Sequence, residues 1–573
     1  MRVTLIFPPS LCLPNPIYFS LPLLAGALKQ AGHEVSLVDL NVLAMDRLLT
    51  PEWGARILAE ARRAVERQSM AGTPGSFQAI LDENEPIMLE APSCKETLRH
   101  RVRNFEPAAF RHAFSTVIKA LDFCYMLDPV ISPHRDGFGR DVIAHQELDP
   151  WSPLKDLYDE VLLDEALRSD PALVGITVAF PEQAAEAVRL AAKLRRRNKD
   201  LHICFGGPLV SLFPEPWFKE GWLFRYADSV VVGDGETAVV ELADALEGNG
   251  DMDRVHNRVR FDPHKGVCWN NRELFFEEMD NLPVPDFDPA DLSLYLTPEP
   301  LYPLMLSRGC RWGRCAFCSS GWYKRFRCAS EEKIYADLKS LTEKYHARYI
   351  MLQDSNVPTD RALYLARIIR EEQLPVYWYG TVRLDDAFLD ANYCRELGDG
   401  GCRSFLLGFE SANQHVIDLM CKGFQLENVP LMLKNLREAG ISAELLWFVG
   451  FPTETLPDAL RTARFLVDHK KMYGLAALVG EYQLHPDTRV FRRPQDFGVT
   501  ITQVVNGNGH YTIEKGMNME EKRRLLQLFA GTGNRTLVCN GAHLPHLVEN
   551  GIDLSGIEQP MQIPPEAIAF CSE

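Results

Sequence analysis

Three cysteines, Cys310, Cys315 and Cys318, stand within nine residues of one another, spaced C-x4-C-x2-C. Three thiolates on one short loop can hold three irons of a [4Fe–4S] cluster and leave the fourth iron open to a ligand. Two other readings fit the same residues. Cys328 can act as the fourth ligand of a zinc site, or the cysteines can be buried structural residues without a metal. The elements around the loop have to decide between them.

The chain has 573 residues, too many for a single core, so two or three domains are expected. Its composition, 46% hydrophobic and 24% charged, is that of a globular protein. A net charge of −17 argues against a nucleic-acid backbone as the main ligand. Apart from the opening cluster, the fourteen cysteines are scattered singly, which suits a reducing compartment and a cytoplasmic protein. The N-terminal apolar run is short and ends at Pro8 and Pro9, so it reads as a first strand and not as a signal peptide. No apolar run reaches the roughly 18 residues of a membrane span.

Residues 1–250 read as a parallel α/β, Rossmann-like domain. Val3 to Phe7 is a strand, Leu21 to Ala31 a helix and Glu34 to Leu40 a second strand. Residues 46–165 interrupt the alternation with a largely helical insertion, with helices over Trp53 to Gln68 and Thr97 to Leu127. The sheet resumes at Ala172 to Ala179, followed by the helix Glu182 to Asn198 and the strand Leu201 to Phe205. A last strand, Ser229 to Val232, leads into the helix Ala238 to Leu246. Ligands of such sheets bind outside the carboxyl ends of the strands. Glycine-rich turns lie at those ends: Gly206-Gly207-Pro208, and Gly233-Asp234-Gly235-Glu236. Each alone is an ordinary turn.

Taken together, Pro8 and Pro9 after the first strand, Gly175 and Thr177 in the third, Gly206, Gly207 and Pro208, then Gly233, Gly235 and Glu236 resemble the cobalamin-binding domain that precedes many radical S-adenosylmethionine (SAM) domains. The resemblance covers residues 1–45 and about 170–247. It implies a cobalamin on the strand ends, bordered by those ten residues. Many cobalamin proteins supply a histidine to cobalt from D-x-H-x-x-G. The nearest string here, Asp262 to Gly266 around His264, is one residue short and follows the last helix, so it reads as a turn. Residues 251–296, rich in Asp, Asn and Pro, read as a linker, with the boundary clearest at Leu282 to Pro289.

Residues 297–500 read as six strand–helix units, an open, partial (β/α)6 barrel. The cysteine loop follows the first strand, Asp354 the second and Arg383 the third. Glu410 and Ser411 follow the fourth, Val449 and Gly450 the fifth. All of them fall on one rim, which a zinc ribbon does not require. Arg383 can also pair with Asp385 or Asp386, and Glu410 can serve as a helix N-terminal carboxylate. Residues 501–573 read as a small helical segment with one helix, Met519 to Phe529. Cys539 and Cys571 stand alone there, without a second cluster motif.

This second half resembles the radical SAM domain, whose usual spacing is C-x3-C-x2-C. The chain has one extra residue in the first gap, and Gly313 can let the loop bulge there. Phe317 before the last cysteine and the stretch Trp322 to Arg327 also fit that family. The resemblance implies a SAM bound beside the cluster, with Phe317 near it and Asp354 at the methionine amino group. It places Arg383 at the carboxylate, Glu410 and Ser411 near the ribose, and Val449 and Gly450 along the adenine. It implies a 5′-deoxyadenosyl radical made with electrons from a donor such as flavodoxin or ferredoxin, or an atypical methyl transfer that makes no such radical, and a methyl group carried by cobalamin. The expected activity is methylation of an unactivated carbon in a small-molecule or peptide intermediate. Ring or other carbon-bond formation, with cobalamin in another role, is the alternative within the family. A cobalamin-binding sensor with a zinc site is the alternative outside it.

Overall fold

A computed structural model of the chain describes residues 1–10, 16–70, 76–127, 152–271, 273–319, 325–505, 508–529 and 541–551. The chain divides into two compact units, Met1–Glu299 and Pro300–Glu573.

The first unit is built on a seven-stranded sheet. Its strands are β1 (Arg2–Phe7), β2 (Glu34–Asp39), β3 (Leu173–Thr177), β4 (His202–Gly206), β5 (Ser229–Val231), β6 (Arg258–Asp262) and β7 (Gly266–Trp269), in the order β2-β1-β3-β4-β5-β6-β7. The first five run parallel in the flavodoxin-like order, so the ligand crevice of this topology lies where β1 and β3 diverge. β6 and β7 add antiparallel. The stretch 251–296, expected as a linker, therefore supplies two strands and part of the core. Met279, Leu282, Phe287 and Tyr295 are buried, and the Tyr295 hydroxyl donates to Asp39 Oδ2 (2.7 Å). Its Pro and Asn content marks turns of a packed segment.

The insertion is helical, as expected, but differently divided. Helices span Pro51–Met70, Ser76–Arg99 and Pro107–Leu127, where the sequence suggested one run from Thr97 to Leu127. Pro86 and Pro92 disguise the middle helix, because proline removes an intrahelical donor; packing against the next helix carries the chain through both.

The second unit is the open barrel. Its strands are β8 (Leu301–Leu304), β9 (Ser307–Arg308), β10 (Arg327–Cys328), β11 (Tyr349–Leu352), β12 (Tyr377–Arg383), β13 (Cys402–Glu410), β14 (Ser442–Val449) and β15 (Leu475–Glu481). β8 and β11–β15 form one parallel sheet in the order β15-β14-β13-β12-β11-β8, and β9 and β10 pair separately, antiparallel. The segment after the barrel is more than helical. It contains an antiparallel hairpin, β16 (Val499–Val505) and β17 (Asn508–Ile513), before the helices Met519–Leu528 and His543–Asn550. Cys539, Cys571 and Trp322 lie outside the described residues.

The last helix packs on β12 and β13. Leu544 joins Leu301, Tyr349, Tyr379 and Leu406 in one core cluster, and His543 Nε2 lies 3.2 Å from Ser404 Oγ. Ser404 also donates to Glu444 Oε1 (3.4 Å). Glu444 is fully buried, which pushes its carboxyl up to about 7. The folded protein thus binds this proton more tightly than the unfolded chain does, and stability falls as pH rises from about 4.5 to about 7. Glu444→Gln is expected to remove this slope and to exceed wild type at pH 8 by up to about 3 kcal/mol. Urea unfolding of the barrel at pH 5 and pH 8 measures it, and equal pH dependence in both proteins would refute a buried ionisation at this position.

Candidate active site

The cysteine loop leaves β9 at the carboxyl end of the barrel strands. Gly313 takes φ +55°, the left-handed turn that the extra residue needs, with the chain folded back toward the Cys310 carbonyl. The loop is held from two sides. Ala316 N–H donates to the Met420 carbonyl (2.8 Å), and Val490 N–H donates to that of Ala316 (3.1 Å). Trp312 Nε1–H donates to the Cys421 carbonyl (2.8 Å), and Arg383 lies over the Trp312 ring at 4.3 Å.

Cys310, Cys315 and Cys318 are half-buried and unbridged. Burial pushes the Cys315 thiol up to about 11, with the Cys318 and Cys310 sulfurs adding to the rise and Lys422 opposing it. A tetrahedral zinc, with Zn–S near 2.3 Å, needs sulfurs about 3.8 Å apart. Among the described residues, no three-ligand group within 4.8 Å includes these cysteines. Three thiols on one loop can each ligate their own iron of a cluster. Cys328 pairs opposite Ser307 in the small antiparallel ladder. Its thiol is raised by burial, with Arg361 opposing the rise.

Beside the thiols sits a buried ion pair. Lys422 Nζ lies 2.9 Å from Glu410 Oε1, with the two residues 5% and 8% exposed. Burial alone would lower the Lys422 pKa; Glu410, Cys315 and Cys318 outweigh it and hold the ammonium above its ordinary value. Glu410 reaches this place through a bulge in β13 and a left-handed backbone, φ +65°. Lys422 was not singled out from the sequence. Its signal was the spacing, Glu410 at a strand end and Lys422 after the next short helix, Gln414–Leu419.

The other expected residues divide. Phe317 packs edge-on against Phe448 (5.1 Å) and Phe451 (6.4 Å), with Lys422 Nζ 5.8 Å from its ring centre. Gly450, at φ +84°, donates its N–H to Glu454 Oε2 (2.6 Å), and the Val449 carbonyl accepts from Tyr482 (2.8 Å). Arg383 makes the pairing the sequence left open, with Asp385 (2.6 Å), and also donates to the Lys422 carbonyl (3.0 Å). Asp354 is committed within the chain: it accepts from Leu306 N–H (3.0 Å) and the Ser307 hydroxyl (2.5 Å). Burial pushes its carboxyl up to about 6 against those bonds. Ser411 is fully buried, its hydroxyl among Thr462 and Asn413.

In the first unit, Gln183 ties together the two strand ends at the crevice. Its Nε2–H donates to the Pro8 carbonyl (2.8 Å), and its Oε1 accepts from Ala179 (2.9 Å) and Phe180 (3.1 Å). Pro8 and Pro9 are buried there, and Phe180, 43% exposed, stands edge-on to Phe7 and Tyr18. Gly207 (φ +105°) and Pro208 follow β4, beside the Val178 backbone. Thr177 and Gly206 end their strands, whereas Gly175 lies inside β3 against Leu5. Gly233 donates to Ser211 Oγ (2.9 Å) ahead of Gly235 and the buried Glu236, which opens the next helix. An exposed aromatic beside backbone turns at the strand ends fits the apolar face of a large flat ligand.

Residues 304–466 match the model of the radical SAM superfamily, and residues 141–243 that of the B12 binding domain. An uncharacterized methyltransferase of Pyrococcus horikoshii is 27% identical over 365 residues, 62% of this chain and 75% of that protein. TsrM of Kitasatospora setae, a radical SAM methyltransferase solved with cobalamin and a [4Fe–4S] cluster, aligns at a TM-score of 0.52 and 15% identity. That alignment covers 91% of this chain and 81% of TsrM. OxsB, a cobalamin-dependent SAM radical enzyme solved with aqua-cobalamin, aligns at 0.58 and 15% identity, over 100% of this chain and 74% of its own. At that identity the likeness is one of fold.

Lys422→Met leaves the buried Glu410 carboxylate without its counter-charge and is expected to cost about 3 kcal/mol of stability. Adding Glu410→Gln should restore part of that loss. Urea unfolding of the metal-free single and double variants measures the coupling, and additive losses would show that the pair is not an interacting unit.

Proposed function

We propose that this chain, which belongs to the radical SAM superfamily and carries a B12 binding domain ahead of its barrel, is a cobalamin-dependent methyltransferase. Its target in this reading is an unactivated carbon of a small-molecule or peptide intermediate. One observation carries the reading: the three-cysteine loop, a buried ammonium–carboxylate pair and an aromatic wall meet at the carboxyl ends of one parallel sheet.

Cys310, Cys315 and Cys318 would hold the cluster. When bound, the cluster, SAM and cobalamin supply one-electron bond cleavage and methyl carriage; the protein's share is binding, orientation and exclusion of water. Lys422, kept cationic by Glu410, offers a desolvated charge for the SAM carboxylate. Glu410 keeps acceptor capacity for ribose hydroxyls, and the chain at Val449 and Gly450 borders the adenine. Arg383 acts through Trp312, bracing the loop, and Asp354 holds Leu306 and Ser307 at its root. Phe317, Phe448 and Phe451 keep water from the reacting atoms. On the cobalamin side, the strand-end residues Pro8, Pro9, Thr177, Gly206, Gly207, Pro208, Gly233, Gly235 and Glu236, with Phe180, form the seat. Gly175 would act only by letting β3 pack closely. An electron donor such as flavodoxin or ferredoxin, and a cytoplasmic location, complete the proposal. Among the described residues no helix is long and apolar enough to cross a membrane.

Two experiments test the reading. Cys→Ala at residue 310, 315 or 318 should each abolish iron uptake in anaerobic reconstitution, whereas Cys328→Ala should bind iron and show the broad visible absorption of wild type. Dependence on Cys328 would return the site to zinc or to an altered ligand set. Reconstitution with iron, sulfide, hydroxocobalamin and labelled SAM should then give about one cluster and one cobalamin per chain, and product heavier by one methylene unit. Product without that gain would favour ring or other carbon-bond formation, and folded protein holding neither cofactor would sink both.

A further inference from the structure

We propose that Lys522, supplied by the segment after the barrel, is the anchor for a carboxylate on an apolar substrate. This deepens the reading above, since it takes the rim as the place where the substrate reacts.

Helix Met519–Leu528 starts at a capping box, in which Asn518 accepts from Glu521 N–H (2.9 Å) and Glu521 accepts from Asn518 N–H (2.8 Å). That cap fixes Lys522 one turn into the helix, with its side chain lying over the end of β14. A methyl group on Gly450 would stand 2.7 Å from Lys522 Cε, 3.0 Å from Cδ and 3.1 Å from Nζ. Gly450, already left-handed, is therefore the residue that lets the lysine stem cross the rim. Lys522 is 5% exposed. Its Nζ lies 5.5 Å from the centre of the Tyr511 ring, and among the described residues it makes no ion pair. Of the two carboxyls whose charge acts on it, Glu454 already receives the Gly450 N–H and is pushed up by burial to about 8, so it is largely neutral at pH 7. Glu481, at the end of β15, attracts the ammonium more strongly than Glu454 does, without forming an ion pair with it.

An ammonium taken out of water without a counter-ion costs several kcal/mol. Among the described residues Lys522 is such a buried ammonium without an ion pair, and a bound anion offsets its cost. The surroundings define the rest of the ligand. Phe451 and Tyr482 are buried beside this point, and Phe317, Ile501, Tyr511 and Ile513 pack half-buried against the same cluster. They form an apolar wall between the cysteine loop and the hairpin. A single ammonium is matched by a single negative charge, and the second charge of a phosphate dianion would meet Glu481 without a further cation to offset it. The ligand class is thus a carboxylate on a flat or aliphatic apolar body.

The test uses the full chain, anaerobically reconstituted, and three acid–amide pairs as probes: hexanoate and hexanamide, indole-3-acetate and indole-3-acetamide, L-phenylalanine and its amide. Phenyl phosphate is the fourth probe. Ligand-observed NMR should show at least one acid bound tenfold or more tightly than its amide. That preference should fall below twofold in Lys522→Met, which keeps the stem, and survive in Lys522→Arg. S-adenosylhomocysteine affinity and iron content should match wild type in both variants. The proposal is overturned if wild type prefers no acid, if the preference survives in Lys522→Met, if phenyl phosphate binds tighter than every acid, or if Lys522→Met loses S-adenosylhomocysteine while keeping iron. Should wild type itself take up no iron and bind no S-adenosylhomocysteine, the proposed function fails, and the acid–amide comparison still judges Lys522.

Discussion

The second unit depends on a charge pair held largely out of water. Burying an ammonium and a carboxylate is costly, and their attraction offsets that cost only when geometry is good and the surroundings are fixed. Here Glu410 is fixed by a bulge and a left-handed backbone, a conformation that a residue with a Cβ adopts only when its neighbours enforce it. Lys422 is fixed by the turn that follows a short helix, and that turn also grips the cysteine loop. The carbonyls of Met420, Cys421 and Lys422 accept from Ala316, Trp312 and Arg383 in succession. Three consecutive backbone groups thus join the charge pair, the thiols and the third-strand arginine into one rigid piece. Residues that look independent along the chain, such as Arg383 and Trp312, are parts of it.

A six-stranded sheet leaves an open side and two open ends, and the chain after the last barrel strand covers much of what is left. Helix His543–Asn550 adds Leu544 to the core lined by Tyr349 and Tyr379. The hairpin β16–β17 places Val499, Ile501, Tyr511 and Ile513 against the aromatic cluster near the cysteine loop. Helix Met519–Leu528 then lays Lys522 across Gly450. The barrel strands carry the groups that any ligand of the thiol loop would meet. The terminal segment carries groups that shape the remaining space, so changes there are the natural route to a different substrate on the same barrel.

Much of this was legible in the sequence because it repeats a simple pattern. Apolar runs alternating with helical periods specify parallel strands, and polar residues at the strand ends then fall on one rim without knowledge of any contact. That argument located the cysteine loop, Glu410 and Gly450. It does not reach a side chain's direction. Asp354 and Ser411 stand at strand ends, yet both spend their oxygens inside the chain, because a turn after a strand also needs acceptors for its own N–H and hydroxyl groups. Lys422 was invisible for the opposite reason: it follows a helix, and only the return of the chain beside β13 brings it to Glu410. The hairpin and the stretch 251–296 were hidden by Asn, Asp, Gly and Pro, which mark turns of packed segments as readily as they mark linkers.

The first unit shows how local chemistry can be traded for topology. The glycine-rich turns suggested ligand contact one by one, yet the order β2-β1-β3-β4-β5 says where a crevice must be, whatever the turns contain. At that crevice the chain spends a fully buried amide side chain, Gln183, on the loops after β1 and β3, satisfying backbone groups that a parallel sheet leaves unpaired at its ends. The strand ends are therefore rigid before any ligand arrives, and Phe180 beside them stays exposed. Asp234 is used in the same way, accepting from Glu277 N–H (2.9 Å) in the stretch that follows β7. Polar side chains around this crevice serve the backbone, which leaves backbone turns and apolar surface for a ligand. Such a seat binds a broad flat face by shape, with few directed hydrogen bonds.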